Sequence, residues 1–577
     1  MAETSLMANV RRWLRLAWVA EVRGLSTEEV LTREAEARVL RRRDVLRGVL
    51  GVGALMAAPQ LLTGCGGSSG GGGDGDAGPE GDGGGGDGGG GGTPTVAVIG
   101  AGLAGLHCAY RLQQQGVSVA LYDADERAGG RCLTLRDHFG DGLLAELGGE
   151  LIDSGHATLR ALATELGLEL VDLFADAPDG LIRDTFYLGG RLSTDAEIVN
   201  AFRPVAGRMQ GSILTAYPTP DAPDPNEFAR LDAMSLRDYL EREIAADRLT
   251  TALLVAAYTA EHGLDAEVQS PWNLLWQVDS ETADPFRPHG DADKRFVVRG
   301  GNDALATKLA EKLTRSVQLQ HRLTALAKNA DGRLHLTFDQ NGTTVEGDFE
   351  QVVLALPFTQ LRKLASAGLS DVVDAEMLGI IQNLGYGTGA KLVLGFRSRP
   401  WLTTQNRSGT LLTDSGLQSF WDAARGQTSL LGVGVNQVGG QRGLDLGGGD
   451  AESQAATLLA ELEPIFPGVT EQYFPQRAAV KHWPTAPFIE GSRACYTSGQ
   501  AAWAGKEGVA QGANLFFCGE HTAARLARGT LEGALATGAT AAADVLSARG
   551  VAAAPLLART LAAGIRSPAG ARTGRRR

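Results

Sequence analysis

The sequence predicts an α/β fold with a Rossmann-like strand–turn–helix–strand unit at its folded start and α+β material after it. Three observations lead there. "VAVIGAGLAGLHCAYRLQQ", from residue 96, runs from an apolar stretch through spaced glycines into a helical pattern. "SLRDYLEREIAADRLTTALLVAAYTAE", residues 235–261, has helical spacing, and Ser235 with Asp238 makes a capping box. Residues 317–356 alternate in polarity and carry Asp331-Gly332 and Asn341-Gly342 turns, so they read as antiparallel strands. At 577 residues and 43% hydrophobic content the chain can form two large domains, or one with a big insertion.

The N-terminal part reads as an address. In "RRRDVLRGVLGVGALMAAPQLLTGC", residues 41–65, Arg42 and Arg43 precede Asp44, Val45, Leu46 and Arg47. This resembles a twin-arginine export signal. Its apolar stretch, 49–62, is too short for a permanent span and suits a signal h-region. "LTGC", 62–65, resembles a lipobox in which Cys65 is acylated. The implied location is the cell envelope, with membrane attachment by the lipid alone. A long stretch including "RRWLRLAWVA" precedes the arginines, which leaves open a long n-region or a start codon placed too early. Residues 66–93 are nearly all Gly with acidic residues, a flexible tether, and 550–577 form a basic tail.

Net charge is −13, which argues against nucleic acid as a partner. The five cysteines, Cys65, Cys108, Cys132, Cys495 and Cys518, form no CxxC pair or Cys/His cluster, so no metal site is expected.

In "TVAVIGAGLAGLHCAYRLQQQGVSVALYDADERAGGRCLT", residues 95–134, Gly100, Gly102 and Gly105 form GxGxxG. The first allows the tight turn, the second close approach of a pyrophosphate, the third helix–strand packing. Asp123 ends the second strand, where an acid bonds ribose hydroxyls. The following Gly129, Gly130 and Arg131 are not part of the simple nicotinamide pattern. They resemble the extended FAD fingerprint of the flavin amine oxidase family.

That resemblance continues in order over about 95–548. "ELGGELIDSGH", 146–156, with Gly148 and Gly149, resembles the segment passing the flavin ring. "YTAEHGLDAEVQSPWNLLWQVD", 258–279, resembles the helical substrate domain of bacterial flavin monoamine oxidases. "FVVRGGNDALATKLAEKL" (296–313), "FEQVVLALPFTQL" (349–361), "GTGAKLVLGFRSRPW" (387–401) and "NLFFCGEHTAARLARGTLEGALATG" (514–538) resemble further family segments. The implied fold is a discontinuous FAD-binding Rossmann-like domain of the GR2 type, residues 94–150, 295–365 and 478–549. An α+β substrate domain, 151–294 and 366–477, is interleaved with it.

The resemblance also implies roles. Lys391 lies in an apolar strand, where a lysine is costly to bury without a job or a partner. The family places it beside the flavin, holding a water; a salt-bridged strand lysine is the alternative. Gly519 and Glu520 match the C-terminal flavin motif, and Leu531 would open a helix whose amides face the flavin. "ACY" around Cys495 matches by eye the cysteine that carries flavin covalently in monoamine oxidases. Counted from Gly491, however, that position falls on Ser492, so non-covalent FAD is expected, with Cys495 a packed thiol.

The same count puts Arg493 and Thr530 at the two positions of the amine-binding aromatic cage, while Trp483 matches a nearby family tryptophan. Arg493 could clamp a substrate carboxylate. Glu150 and Asp153 could instead attract a cationic amine, or all three could pair among themselves. The implied reaction is oxidation of a C–N bond by hydride transfer to FAD, imine hydrolysis and reduction of O2 to H2O2. Within the superfamily an L-amino acid oxidase or monooxygenase is the alternative. A desaturase-type flavoenzyme or a non-catalytic FAD-binding surface lipoprotein stand further off.

Overall fold

The computed structural model describes residues 94–175, 177–218, 223–279 and 293–551, with Ser26 and Glu29 as isolated positions. The export signal, Cys65, the 66–93 tether and residues 552–577 lie outside the described residues. In chain order, the elements that position the site are β1 (Val96–Ile99), α1 (Leu103–Gln114), β2 (Val119–Tyr122), α2 (Arg248–His262), β3 (Gln351–Leu354), β4 (Ala390–Phe396), β5 (Leu515–Phe517) and α3 (Leu531–Ala548).

A four-stranded sheet of order β5-β3-β1-β2 is parallel throughout. β1 and β3 are buried along their whole length, which is why both read as unbroken apolar runs. α1 and α3 pack against each other. Gly538 allows the contact, since a Cβ there would lie 2.3 Å from the Ala104 carbonyl oxygen.

The alternating run 317–356 divides in two. Arg322–Lys328, Leu334–Gln340 and Thr343–Phe349 form the expected antiparallel sheet. Asn341 and Gly342 both take positive φ, 52° and 86°, as a two-residue hairpin turn of mirror-image type needs. The final segment corrects the expectation: "QVVL" pairs parallel with β1 and β5. It does not alternate, and a continuously apolar strand suits a sheet covered on both faces.

The larger sheet has seven strands: Tyr473–His482, β4, Gly432–Val438, Ser419–Asp422, Arg407–Thr413, Ile182–Leu188 and Arg191–Ser193. All residues of β4 are buried. The stretch 235–261, with its helical spacing, forms two helical pieces. Ser235 caps the first through the Asp238 amide, Ala245 breaks it with φ 42°, and Asp247 caps α2. Among the described residues no helix is long and apolar enough to cross a membrane.

Candidate active site

Two glycine turns meet at the C-terminal end of β1. Gly100 takes φ 106°, and a Cβ at Gly105 would lie 1.8 Å from the Gly100 carbonyl oxygen. The position of a Gly102 Cβ opens on free space, and Gly102 forms the N-terminal end of α1. Gly129 bridges to Gly102, and its N–H donates to the Ala101 carbonyl at 2.8 Å. A Cβ at Gly130 would lie 3.5 Å from the Gly102 Cα. Asp123 closes the turn by accepting from Ala101 N–H at 2.5 Å and Asp125 N–H at 2.8 Å, and burial raises its carboxyl above the usual range.

Arg131 donates to Glu520 at 2.7 Å and to the Ser492 carbonyl at 2.9 Å. Burial works to raise the Glu520 carboxyl, but Arg131 outweighs it and holds the group at about 2. The other glycines are set by packing. A Cβ at Gly148 would strike the Arg131 carbonyl oxygen at 1.8 Å, and one at Gly149 would strike Leu531 at 2.6 Å. Leu531 is thus a wall for the 146–150 segment at the start of α3. Gly519 takes φ 150° and donates its N–H to Thr537 at 3.0 Å. Thr530 is the N-cap of α3: its hydroxyl accepts from Gly533 N–H at 2.9 Å and donates to the Ala527 carbonyl at 2.7 Å. The threonine at one cage position therefore does a helix-capping job.

Lys391 is buried in the middle of β4, and its ammonium has three N–H donors. These reach the carbonyls of Glu146 at 2.9 Å and Gly148 at 3.0 Å, and Oε2 of Glu150 at 2.9 Å. All three donors thus end on the chain itself. Glu150 is correspondingly not free for a cationic amine: its Oε1 accepts from Trp421 Nε1–H at 2.7 Å. Trp483 holds the same segment from another side, donating Nε1–H to the Leu147 carbonyl at 3.0 Å.

Asp153 is engaged too. It lies 3.2 Å from His156 Nε2 and accepts from Lys294 N–H at 2.6 Å. Against the pull of burial, these partners hold its carboxyl below the usual range.

Arg493 meets Glu261, at the C-terminal end of α2, at 2.5 Å and donates to the Arg528 carbonyl at 2.6 Å. Arg493 and Glu261 are both almost fully buried, and Lys294 Nζ stands 3.9 Å from the same carboxylate. Arg493 passes over Gly529, where any Cβ would collide with the guanidinium. Its Nε has no hydrogen-bond partner. Beside this pair, Arg528 donates to Glu507 at 2.7 Å and lies over the Tyr496 ring, whose hydroxyl donates to Glu507. Cys495 accepts from Asn273 Nδ2–H at 3.3 Å, and burial pushes its thiol up to about 12.

Sequence reasoning missed Glu261, Trp421, Glu507 and Arg528. Glu261 had a signal, an acid inside the apolar run "LLVAAYTAEHG".

The model of the family described as flavin containing amine oxidoreductase matches residues 103–546. An L-amino-acid oxidase of Siganus canaliculatus is 23% identical over 445 residues, covering 74% of this chain and 81% of that relative. The flavin-dependent L-tryptophan oxidase RebO of Lentzea aerocolonigenes is 26% identical over 475 residues, covering 76% and 96%. Among solved structures, putrescine oxidase bound to putrescine superposes with a TM-score of 0.64 at 21% identity, covering 79% of this chain and 99% of that one. Cyclohexylamine oxidase from Brevibacterium oxydans gives 0.64 at 19%, with the same coverage. These likenesses carry the fold. With the two glycine turns built as a dinucleotide cradle and the family match running through most of the folded chain, the protein belongs to the flavin-containing amine oxidoreductases and is an FAD-dependent oxidoreductase acting on amines.

Proposed function

We propose that the chain is an oxidase of α-amino acids, and the observation that carries this is the buried Arg493–Glu261 pair. A zwitterionic amino acid presents one carboxylate and one ammonium, and this pair presents the complementary charges. The substrate carboxylate would take the guanidinium and the ammonium would take Glu261, replacing one buried ion pair by two. A cationic amine finds less support, because Glu150 and Asp153 are already engaged by Lys391, Trp421, His156 and the Lys294 amide. The L-amino-acid oxidases among the relatives agree with this reading.

Bound FAD supplies the hydride acceptor and, with O2, the route to hydrogen peroxide. The chain's part is to hold and orient. Gly100, Gly102 and Gly105 with the first turn of α1 would take the pyrophosphate, Asp123 the ribose, and Gly129, Gly130, Gly519 and the α3 N-terminus the rest. Arg131 and Glu520 fix the segments that meet there. Association would be non-covalent, since Cys495 is protonated and held by Asn273. The imine released by hydride loss hydrolyses to a 2-oxo acid and ammonia. Export by the twin-arginine route and acylation of Cys65 fit an enzyme folded around FAD before crossing the membrane.

Anaerobic bleaching of the flavin absorbance by a panel of L-amino acids, polyamines and simple amines tests the proposal. Bleaching by amino acids supports it. Bleaching by amines alone overturns it, and no bleaching at all favours a desaturase-type or non-catalytic flavoprotein.

A further inference from the structure

Strand register defines which face of the seven-stranded sheet meets the candidate site. Residues directly opposite on neighbouring strands, and residues two apart on one strand, point to the same side. Gln437 pairs with Ser419 and Val435 with Trp421. Leu412 pairs with Ser419 and with Phe186, and Thr410 pairs with Asp184. Gln437, Trp421, Thr410 and Asp184 therefore share one face. On one side of it Gln437 Nε2–H donates to the Ala260 carbonyl at 2.9 Å, next to Glu261 of the Arg493 pair. Asp184 lies three strands away, about 14 Å at ordinary strand spacing.

Arg425 stands on the Asp184 side. Among the described residues it makes no ion pair, and its buried Nε has no acceptor. Its guanidinium carbon lies 5.1 Å from the Phe174 ring centroid, and that of Arg183 lies 3.7 Å from the same centroid. Burial works against the Arg425 charge, while Asp422, Asp184 and Glu150 attract it from further off. Two of those acids are already engaged. Asp422 accepts from Trp401 Nε1–H at 3.0 Å and has Arg399 at 3.8 Å, and Glu150 is held by Lys391 and Trp421. Asp184 thus offsets one of two guanidinium charges that share a single ring.

The backbone around Arg425 is fixed. Gln427 donates to the Leu144 carbonyl at 2.9 Å and accepts from Leu144 N–H at 3.0 Å. Gly426 takes φ 74°, and a Cβ there would lie 2.8 Å from Val171 Cγ1. Phe174 is held in turn, its N–H donating to Asp172 at 3.0 Å. A guanidinium on a rigid loop, with donors still to satisfy, is preorganised for a carboxylate, whose two oxygens match its paired N–H groups.

We propose that Arg425 receives a side-chain carboxylate of the substrate, so that the preferred substrates are α-amino dicarboxylic acids. The proposal rests on the amino-acid reading: Arg493 and Glu261 take the α-carboxylate and ammonium from the Gln437 side, and Arg425 takes the second carboxylate from the Asp184 side. A neutral side chain would leave the buried Nε without an acceptor, and a cationic one would meet two arginines.

The test compares the FAD-loaded wild type and Arg425→Met on L-glutamate against L-glutamine and on L-aspartate against L-asparagine. Each pair has nearly one shape and differs in side-chain charge. Wild type should favour the acid over its amide in kcat/KM. Arg425→Met should lower that ratio roughly 10- to 100-fold, the range for losing a charged hydrogen-bonding partner. A wild type that takes the amides as well as the acids, or a variant that slows both equally, overturns the proposal. If Arg425→Met fails to retain FAD, Arg425→Lys keeps the charge but not the paired donors, and a smaller fall in the same ratio is expected. An unaltered ratio overturns the proposal. Binding gives a readout apart from turnover. Glutarate, with two carboxylates and no amine to oxidise, should perturb the wild-type flavin spectrum at lower concentration than butyrate does, and Arg425→Met should shrink that advantage. Equal binding of the two by wild type overturns the proposal. Bleaching by amines alone defeats the amino-acid reading and this proposal together, whereas bleaching by neutral amino acids with no preference for dicarboxylic ones defeats this proposal alone.

Discussion

Two of the buried ion pairs in the candidate active site, Lys391–Glu150 and Arg493–Glu261, are built differently. Lys391–Glu150 is closed: three ammonium donors and both carboxylate oxygens have partners. Arg493–Glu261 is open: Arg493 Nε has no acceptor, and Glu261 has a second cation, Lys294, 3.9 Å away. A closed pair can only be broken, which makes it a fixture. An open pair can exchange partners at lower cost, which suits a place where substrate binds.

The sharpest way to break the comparison is Lys391→Met. Removing one partner of a buried pair leaves an uncompensated charge and costs roughly 3–5 kcal/mol. We expect a clear loss in denaturant midpoint and slowed turnover with FAD still bound, because the glycine cradle is untouched. Unchanged turnover would remove Lys391 from the working site.

Arg493→Met should cost less stability, since Lys294 remains near Glu261. Its effect belongs in kcat/KM for amino acids, at roughly 10- to 100-fold, the range for losing a charged hydrogen-bonding partner. Equal losses for amino acids and simple amines would contradict the carboxylate clamp.

The two pairs also differ in how legible they were. Lys391 stands out in the sequence as a charge in an apolar strand, and the paired-glycine turn and the Asn341-Gly342 hairpin stand out because their physics is local. Glu150 meets Lys391 across 241 residues and Arg493 meets Glu261 across 232. No local pattern reports such a meeting, so Glu150 could be assigned only a charge and a suspected role, and Glu261 was missed. Gly148 and Gly149 were legible as glycines but not in their reason. What excludes a side chain there is the Arg131 carbonyl and Leu531, brought in by the tertiary fold.

Glu146 lies next to the closed pair and sharpens the comparison through pH. Its folded value, raised by burial to about 8, lies above that of an unfolded carboxyl. Its contribution to stability is therefore complete at low pH and is lost as pH rises to about 8. Glu520, held at about 2, has the opposite sign, and its contribution is lost as pH falls. Glu146→Gln should flatten the stability–pH curve between about 4.5 and about 8 and leave the loss at lower pH alone. A variant whose slope in that window matches wild type would show that Glu146 is not the group titrating there.

The smallest effect is expected at Cys495. It sits one residue past Ala494, whose N–H reaches Glu520, so it lies against the same segments as the open pair without belonging to it. Its thiol is protonated through the working range and bonded by Asn273, and a buried cysteine of this kind behaves as a small apolar group. Cys495→Ser should leave flavin content and turnover near wild type, with a stability change of about 1 kcal/mol or less. Acid precipitation separates the two possibilities for the cofactor. A colourless pellet with yellow supernatant, in wild type and variant alike, is the outcome for non-covalent FAD. A yellow wild-type pellet that turns colourless in Cys495→Ser would instead make this cysteine the flavin's attachment point, and the segment 491–496 would then have to be realigned from Cys495 rather than from Ser492.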